Sequence, residues 1–243
     1  IELLAPESQP HHLSASGALP ASVRVMDNTQ FHFGQALKPA KGALRQGVIV
    51  DLHDRLAASR GAQATDMRDL TVRELQVRFD VDAEQALRVR TLASALFRSA
   101  CPDADNEAMR ELGWACDLHE VGLMVSHHEH HRHGAYLVAN ADAAGFSQSQ
   151  QRRIGDLVLG QRGGLGKVES LLSQDTMAWQ LLALRLAVIE CHTRNEIEPR
   201  ALRLNRDGRT AALRFARDWP ASHPRTLHLL REESQVWARQ NSL

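Results

Sequence analysis

The chain has 243 residues, of which 43% are hydrophobic and 24% are charged, as in an ordinary globular protein. Lys plus Arg and Asp plus Glu both number 29, so the formal net charge is zero. This balance excludes a partner recruited by overall charge, and we expect no nucleic acid and no membrane among its partners. Three cysteines without metal-type spacing predict free thiols in a cytoplasmic protein. Because the chain begins with Ile rather than Met, we expect it to be a piece of a longer protein.

Residues 1–41 contain four of the eight prolines and show no sustained hydrophobic period. They predict a linker or the remnant of an N-terminal domain, with a short strand at Val23–Asp27. Gly42–Leu56 has apolar residues at helical spacing and predicts a short helix.

From Asp66 onward the apolar residues follow the helical period, which predicts an all-helical body. Asp82 and Ser147 are of the residue types that cap helix N-termini. The predicted helices are Asp66–Phe79, one starting after Asp82, Asn106–Val121, Arg132–Ala139, Ser147–Leu159 and the most apolar one, Asp175–Arg194.

The pattern changes after Pro199. Residues 201–215 alternate at period two on both sides of Arg206-Asp207-Gly208, which predicts a β-hairpin with an Asp-Gly turn. A last amphipathic helix is predicted to begin at His223-Pro224. We therefore expect a mainly α fold, with a helical domain over 42–197 and a small α+β appendix, hairpin plus helix, over 198–243.

Six of the thirteen histidines fall between His119 and His133. His119-Glu120 at a helix end resembles the His–acid pair by which HD-type phosphohydrolases bind a divalent metal that activates water. Such a site also needs a histidine on the preceding helix and a distant aspartate, and this chain offers Gln85 and Val188 there. We expect no bound metal, and the remaining candidate ligands are His119, Glu120 and His133.

The histidine-rich loop has two interpretations that the sequence leaves open. Imidazoles beside an arginine could line a path for a phosphate chain and gain protons as a polyanion approaches. The alternative is a solvated polar loop with no ligand. The residues predicted to bind are His127, His128, His130, His131, Arg132 and His133, with Arg152, Arg153 and Arg162 as neighbours.

Five segments in order carry a family resemblance over about four-fifths of the chain. They are GALRQGVIVDL (Gly42–Leu52), DLHEVGL (Asp117–Leu123), RHGAYLVANADAAGFS (Arg132–Ser147), LLALRLAVI (Leu181–Ile189) and DWPASHP (Asp218–Pro224). With this spacing the chain resembles the C-terminal half of the exopolyphosphatase/guanosine pentaphosphate phosphatase (Ppx/GppA) family.

The resemblance implies a domain arrangement. In this family an N-terminal pair of actin-like domains binds Mg²⁺ and hydrolyses phosphoanhydride bonds of polyphosphate or guanosine pentaphosphate. A helical domain similar to HD hydrolases follows, often with a small domain that contains strands. Residues 1–41 would then be a linker or a remnant of the actin-like part, and no cofactor is expected on this chain. Relatives that keep the HD ligands often have His at the position of Gln85 and Asp at that of Val188.

The expected function is a C-terminal region that binds polyphosphate and forms a homodimer for a Ppx/GppA-type phosphatase, without catalysis by this chain alone. Its parent enzyme would act on polyphosphate or guanosine pentaphosphate. The alternatives are a free-standing metal-dependent HD-type phosphohydrolase acting on a nucleotide, and a purely structural dimerisation module. If His119 and Glu120 are structural, a donor must lie near Glu120, since an unpaired buried carboxylate is costly.

Overall fold

The structure, a computed structural model, describes residues 66–198 and 200–240. The strand predicted at Val23–Asp27 and the helix predicted at Gly42–Leu56 lie outside these residues. The helices are α1 (Met67–Arg78), α2 (Ala83–Ala100), α3 (Asn106–Asp117), α4 (His130–Asn140), α5 (Gln148–Gly160), α6 (Glu169–Leu172), α7 (Asp175–Glu190), α8 (Trp219–Ser222) and α9 (Pro224–Gln240). The strands are β1 (Leu202–Asp207) and β2 (Thr210–Phe215), and short 3-10 turns cover Val121–Met124, Leu165–Val168 and Cys191–Thr193.

Side-chain caps determine where the main helices begin. Asp66 accepts from the backbone N–H of Arg68 at 2.9 Å and Asp82 from that of Gln85 at 3.0 Å. Ser147 forms a capping box with Gln150. Each cap satisfies a backbone donor that the helix itself leaves unpaired, so the three predicted helix starts are confirmed.

The helix predicted to run from Asn106 to Val121 is shorter than expected. It ends at Asp117, and the chain tightens through a bond from Val121 N–H to Leu118 C=O at 3.2 Å. Gly122 then lies so close to α4 that an added Cβ would sit 1.9 Å from the His130 carbonyl oxygen. Backbone contact of this kind requires the chain to leave the helix axis, so His119-Glu120 lies in a turn.

Two other boundaries also differ from the prediction. The apolar helix α7 ends at Glu190, followed by a 3-10 turn and by Arg194 in the left-handed region at φ 58°. Helix α4 begins at His130, two residues before the predicted Arg132, with Glu129 at φ 50° before it. In both places tertiary contacts and a left-handed residue override the local hydrophobic pattern.

The core forms around α2 and α7. Helix α2 packs against α3, α7 and β1, and α4 packs against α5. The largest fully buried side chains include Trp114 and Trp179. The same core includes side chains from the C-terminal segment, namely Leu204, Trp219, Leu230 and Trp237.

The predicted hairpin is present, with β1 and β2 antiparallel and Asp207 paired with Thr210. Its two loop residues are therefore Gly208 and Arg209, one position after the predicted Asp-Gly turn, since Asp207 still belongs to β1. Gly208 has φ 57°, which glycine adopts without strain. The Ser99 hydroxyl donates to the Leu204 carbonyl at 2.7 Å and fixes β1 to α2. The chain is thus mainly α with a two-stranded appendix. No helix of the described residues is long and apolar enough to cross a membrane.

Candidate functional site

The turn after α3 buries His119, which is 2% exposed. Its Nδ1 lies 2.7 Å from the Cys116 carbonyl oxygen. A carbonyl can only accept, so Nδ1 carries the proton and Nε2 keeps its lone pair. Burial lowers the pKa of His119 to about 4, which keeps the ring neutral at physiological pH. Gln161 Nε2 donates to the His119 carbonyl at 2.8 Å and holds the turn against α5.

Glu120 has the donor that its burial requires. Arg194 Nη2 donates to Glu120 Oε1 at 3.0 Å, and Arg194 Nη1 pairs with Asp82 Oδ2. Burial raises the pKa of Glu120, and the Arg194 charge opposes that rise. His119 Nε2 lies 3.9 Å from Glu120 Oε1. The network of Asp82, His119, Glu120 and Arg194 joins the N-terminus of α2, the turn after α3 and the chain after α7.

The two residues that stand where a metal ligand was expected, Gln85 and Val188, make other contacts instead. Gln85 is buried, and its Nε2 donates to the Cys191 carbonyl at 2.8 Å. Val188 packs against the core from α7. Beyond it, Glu190 Oε2 and His192 Nε2 are buried without a hydrogen-bond partner. No three His, Cys, Asp or Glu side chains converge as a ready metal-ligand set within residues 66–198 and 200–240.

The predicted binding loop divides into exposed and enclosed side chains. His127 and His128 are exposed, His130 and His133 are partly buried, and His131 is 7% exposed. Arg132 points outward and pairs with Glu129, with Nε 3.0 Å from Oε1. Of the six predicted residues only His131 is buried, because α4 begins at His130 and its helical period turns His131 inward.

Lys167 adds a cation that the sequence did not point to. Its Nζ donates to the Arg162 carbonyl, and burial together with the charges of Arg185 and Arg132 lowers its pKa to about 8. Burial and nearby cations, Lys167 among them, also lower the pKa of His131 to about 4. The pKa of His130 is lowered, first by burial and then by the charge of Arg162. Arg132, Arg162 and Lys167 are therefore close enough to share one electrostatic environment, which we call the α4 cationic face.

The three arginines predicted to lie near the histidine-rich loop are in different parts of the structure. Arg162 is exposed and belongs to the α4 cationic face, whereas Arg152 is exposed on α5. Arg153 is bound elsewhere, since its Nε donates to Glu111 Oε2 of α3 at 3.1 Å. That ion pair joins α5 to α3.

Sequence reasoning missed Arg194 and Lys167. Arg194 meets Glu120 across 74 positions of the chain, and no spacing rule connects them. Lys167 follows a run of glycines that lacks the Lys-Ser/Thr ending of a phosphate-binding loop. The available signal for Arg194 was the requirement that Glu120 have a donor, which a histidine, an arginine or backbone N–H groups could have met, so it fixed neither the residue type nor the position.

Comparison with known proteins shows that residues 67–234 match the family model described as Ppx/GppA phosphatase, domain III. The chain therefore belongs to the Ppx/GppA phosphatase family. A curated relative is the guanosine-5'-triphosphate,3'-diphosphate pyrophosphatase of Pseudoalteromonas translucida (strain TAC 125), which is 31% identical over 206 residues. The match covers 82% of this chain and spans 40% of the length of that relative.

Proposed function

We propose that this chain binds the phosphate chain of the substrate for a Ppx/GppA-type phosphatase, and that it does so on the α4 cationic face. The substrate would be polyphosphate or guanosine pentaphosphate. Membership of the family and the name of the relative support this substrate class. The observation that carries the proposal is the grouping of Arg132, Arg162 and Lys167 beside the exposed His127 and His128.

The chemistry of these side chains suits a chain of phosphates. Guanidinium and ammonium groups donate charge-assisted hydrogen bonds to phosphate oxygens, and arginine can do so with two parallel bonds. An approaching anion raises the pKa of Lys167, which is lowered first by burial and then by its cationic neighbours. His131 stays neutral down to about pH 4, so its ring adds no charge at pH 6. Any increase in affinity near pH 6 must therefore come from other groups.

The remaining parts of the proposal concern the parent enzyme. Magnesium and hydrolysis belong to the actin-like half that the resemblance implies, and this chain supplies binding and the contacts of a homodimer. Three free cysteines, Cys101, Cys116 and Cys191, support a cytoplasmic location. A metal-dependent HD-type hydrolase is less well supported, since Gln85 and Val188 occupy two of the positions where it would need ligands.

Titration of fluorescently labelled polyphosphate into the chain tests the proposal. We expect Arg132→Ala/Lys167→Ala to lower the affinity at least about fivefold, which corresponds to about 1 kcal/mol. Arg152→Ala is the matched control, because it removes an exposed arginine on α5 outside the face. Affinity should fall as salt rises, since exposed charges are screened over about 10 Å at 0.1 M ionic strength. Equal affinities for all three proteins would contradict the proposal.

A further inference from the structure

Glu129 is an acidic residue that lies beside the α4 cationic face. Its Oε1 accepts a hydrogen bond from Arg132 Nε at 3.0 Å. Burial and neighbouring cations lower the pKa values of Lys167 and His131, and the negative charge of Glu129 opposes this lowering in both. The Glu129 carboxylate therefore interacts with the groups that a bound phosphate would meet.

The backbone of Glu129 has a conformation that residues with side chains seldom adopt. Glu129 precedes α4 with φ 50° and ψ 32°, and its carbonyl accepts from the Arg132 N–H at 2.8 Å. Such residues persist where their surroundings fix them. The Glu129 side chain does not cap α4, and the first N–H groups of a helix carry a partial positive charge. The start of α4 and Arg132 both favour an anion at this position, and Glu129 supplies one.

The ion pair between Glu129 and Arg132 is open to solvent. Their side chains are 45% and 57% exposed. Such pairs are weak, because water screens the charges and two long side chains lose freedom when they are held together. In the pair between Arg153 and Glu111, by contrast, the glutamate side chain is only 7% exposed. A ligand can therefore take Arg132 from Glu129 without disturbing the core.

We infer that Glu129 is a built-in competitor of the phosphate chain: its carboxylate occupies Arg132 when the α4 cationic face is empty and releases Arg132 when phosphate binds. This inference rests on the proposed function. Arginine can bind phosphate with two parallel bonds, and Glu129 already holds the Nε that would donate one of them. A phosphate chain must displace the carboxylate to gain this geometry, so Glu129 makes binding weaker and release easier than the cations alone would.

Labelled polyphosphate titrated into the chain at fixed ionic strength tests the inference. We expect Glu129→Gln, which removes the charge and keeps the size of the side chain, to raise the affinity at least about threefold over the wild type. Glu169→Gln is the matched control, because Glu169 is an exposed glutamate two residues after Lys167 that forms no ion pair among the described residues. This control should change the affinity less than about 1.5-fold.

The background of Arg132→Ala separates competition for Arg132 from general repulsion of the polyanion. In that background Glu129→Gln should raise the affinity less than about 1.5-fold, because no guanidinium is left to release. Glu129→Gly keeps the left-handed turn, since glycine adopts φ 50° without strain, and should show the same gain as Glu129→Gln in the wild-type background. Agreement between these two variants shows that the gain comes from the carboxylate and not from a change in the turn.

The outcomes distinguish this inference from the proposed function. If Arg132→Ala/Lys167→Ala weakens binding while neither Glu129 variant strengthens it, the inference alone is overturned. Equal gains from Glu129→Gln with and without Arg132 also overturn it, since Glu129 would then act only through its overall charge. If Arg132→Ala/Lys167→Ala binds as tightly as the wild type, the proposed function fails and the inference fails with it.

Discussion

Arg185 and Glu233 form an enclosed ion pair that joins α7 to the terminal helix α9. Their side chains are 3% and 7% exposed, and Arg185 Nη2 lies 2.7 Å from Glu233 Oε2. Each partner also makes a hydrogen bond outside the pair. Arg185 Nη1 donates to the Gly160 carbonyl at 2.5 Å, and Trp237 Nε1 donates to Glu233 Oε1 at 2.6 Å. The C-terminal helix is therefore fixed to the body by charge as well as by apolar packing.

The first prediction concerns this pair. Glu233→Gln should lower the free energy of unfolding by about 3–5 kcal/mol, because it leaves the Arg185 charge buried without its partner. Urea unfolding at neutral pH measures the change. Glu232→Gln is the matched control, since Glu232 is 60% exposed and should change stability by less than about 0.5 kcal/mol. A loss in the Glu233 variant no larger than in the control would show that the pair contributes nothing.

The second prediction concerns the glycine contact that sets the turn after α3. Gly122→Ala places a Cβ 1.9 Å from the His130 carbonyl oxygen and 2.5 Å from the Gly134 nitrogen. Both are backbone atoms that cannot rotate away, so we expect a loss of about 3 kcal/mol or more, at the upper end of overpacking costs. Gly164→Ala is the control, because its added Cβ meets nothing within 4 Å. Thermal melts of the two variants compare them directly, and equal melting temperatures would contradict this geometry.

The third prediction is a pH dependence from His119. Its pKa is about 4 in the fold against 6.5 in an open chain, so the unfolded state binds more protons between these values. Its contribution to stability is complete above about pH 6.5 and is lost as the pH falls toward 4. Linkage gives a loss of about 2 kcal/mol between pH 7 and pH 5. His131, with a pKa of about 4, acts in the same direction, whereas Asp117, with a pKa raised by burial to about 6, opposes it.

A substitution isolates the His119 contribution from these other groups. His119→Gln should reduce the fall in stability between pH 7 and pH 5 by about 2 kcal/mol relative to the wild type, as measured by urea unfolding at both values. His228→Gln is the control, since its side chain is 70% exposed. A His119 variant with the same pH dependence as the wild type would show that burial does not keep the ring neutral.

The fourth prediction concerns catalysis by the isolated chain. We expect no phosphate release from long-chain polyphosphate with Mg²⁺ or Mn²⁺, since Gln85 and Val188 supply no metal ligand and Arg194 pairs with the Asp82 and Glu120 carboxylates. A malachite green assay of the purified chain tests this. Steady release that His119→Ala abolishes would contradict it, whereas release that survives in His119→Ala would indicate a contaminating enzyme.

Much of the fold follows from local patterns in the sequence. Asp82 and Ser147 predicted helix starts because each can satisfy a backbone donor within three residues of itself, and the structure shows Asp66 capping α1 in the same way. The alternation around Gly208 predicted the hairpin for a similar reason, since pairing across a two-residue loop is local. The C-terminal ends of α3 and α7 could not be predicted from the sequence, because the Gly122 contact and the Arg194 conformation involve distant residues.

The features of the candidate site also fall into those that the sequence determined and those that depend on the tertiary structure. The sequence by itself determined the histidine-rich segment, the missing metal ligands at Gln85 and Val188, and the need of Glu120 for a donor. Only the tertiary structure decided that this donor is Arg194, that His131 turns inward while Arg132 faces solvent, and that Lys167 lies beside them. Charge and burial act through space over a few ångströms, and residues 74 positions apart come within that range only when the core around α2 and α7 has formed.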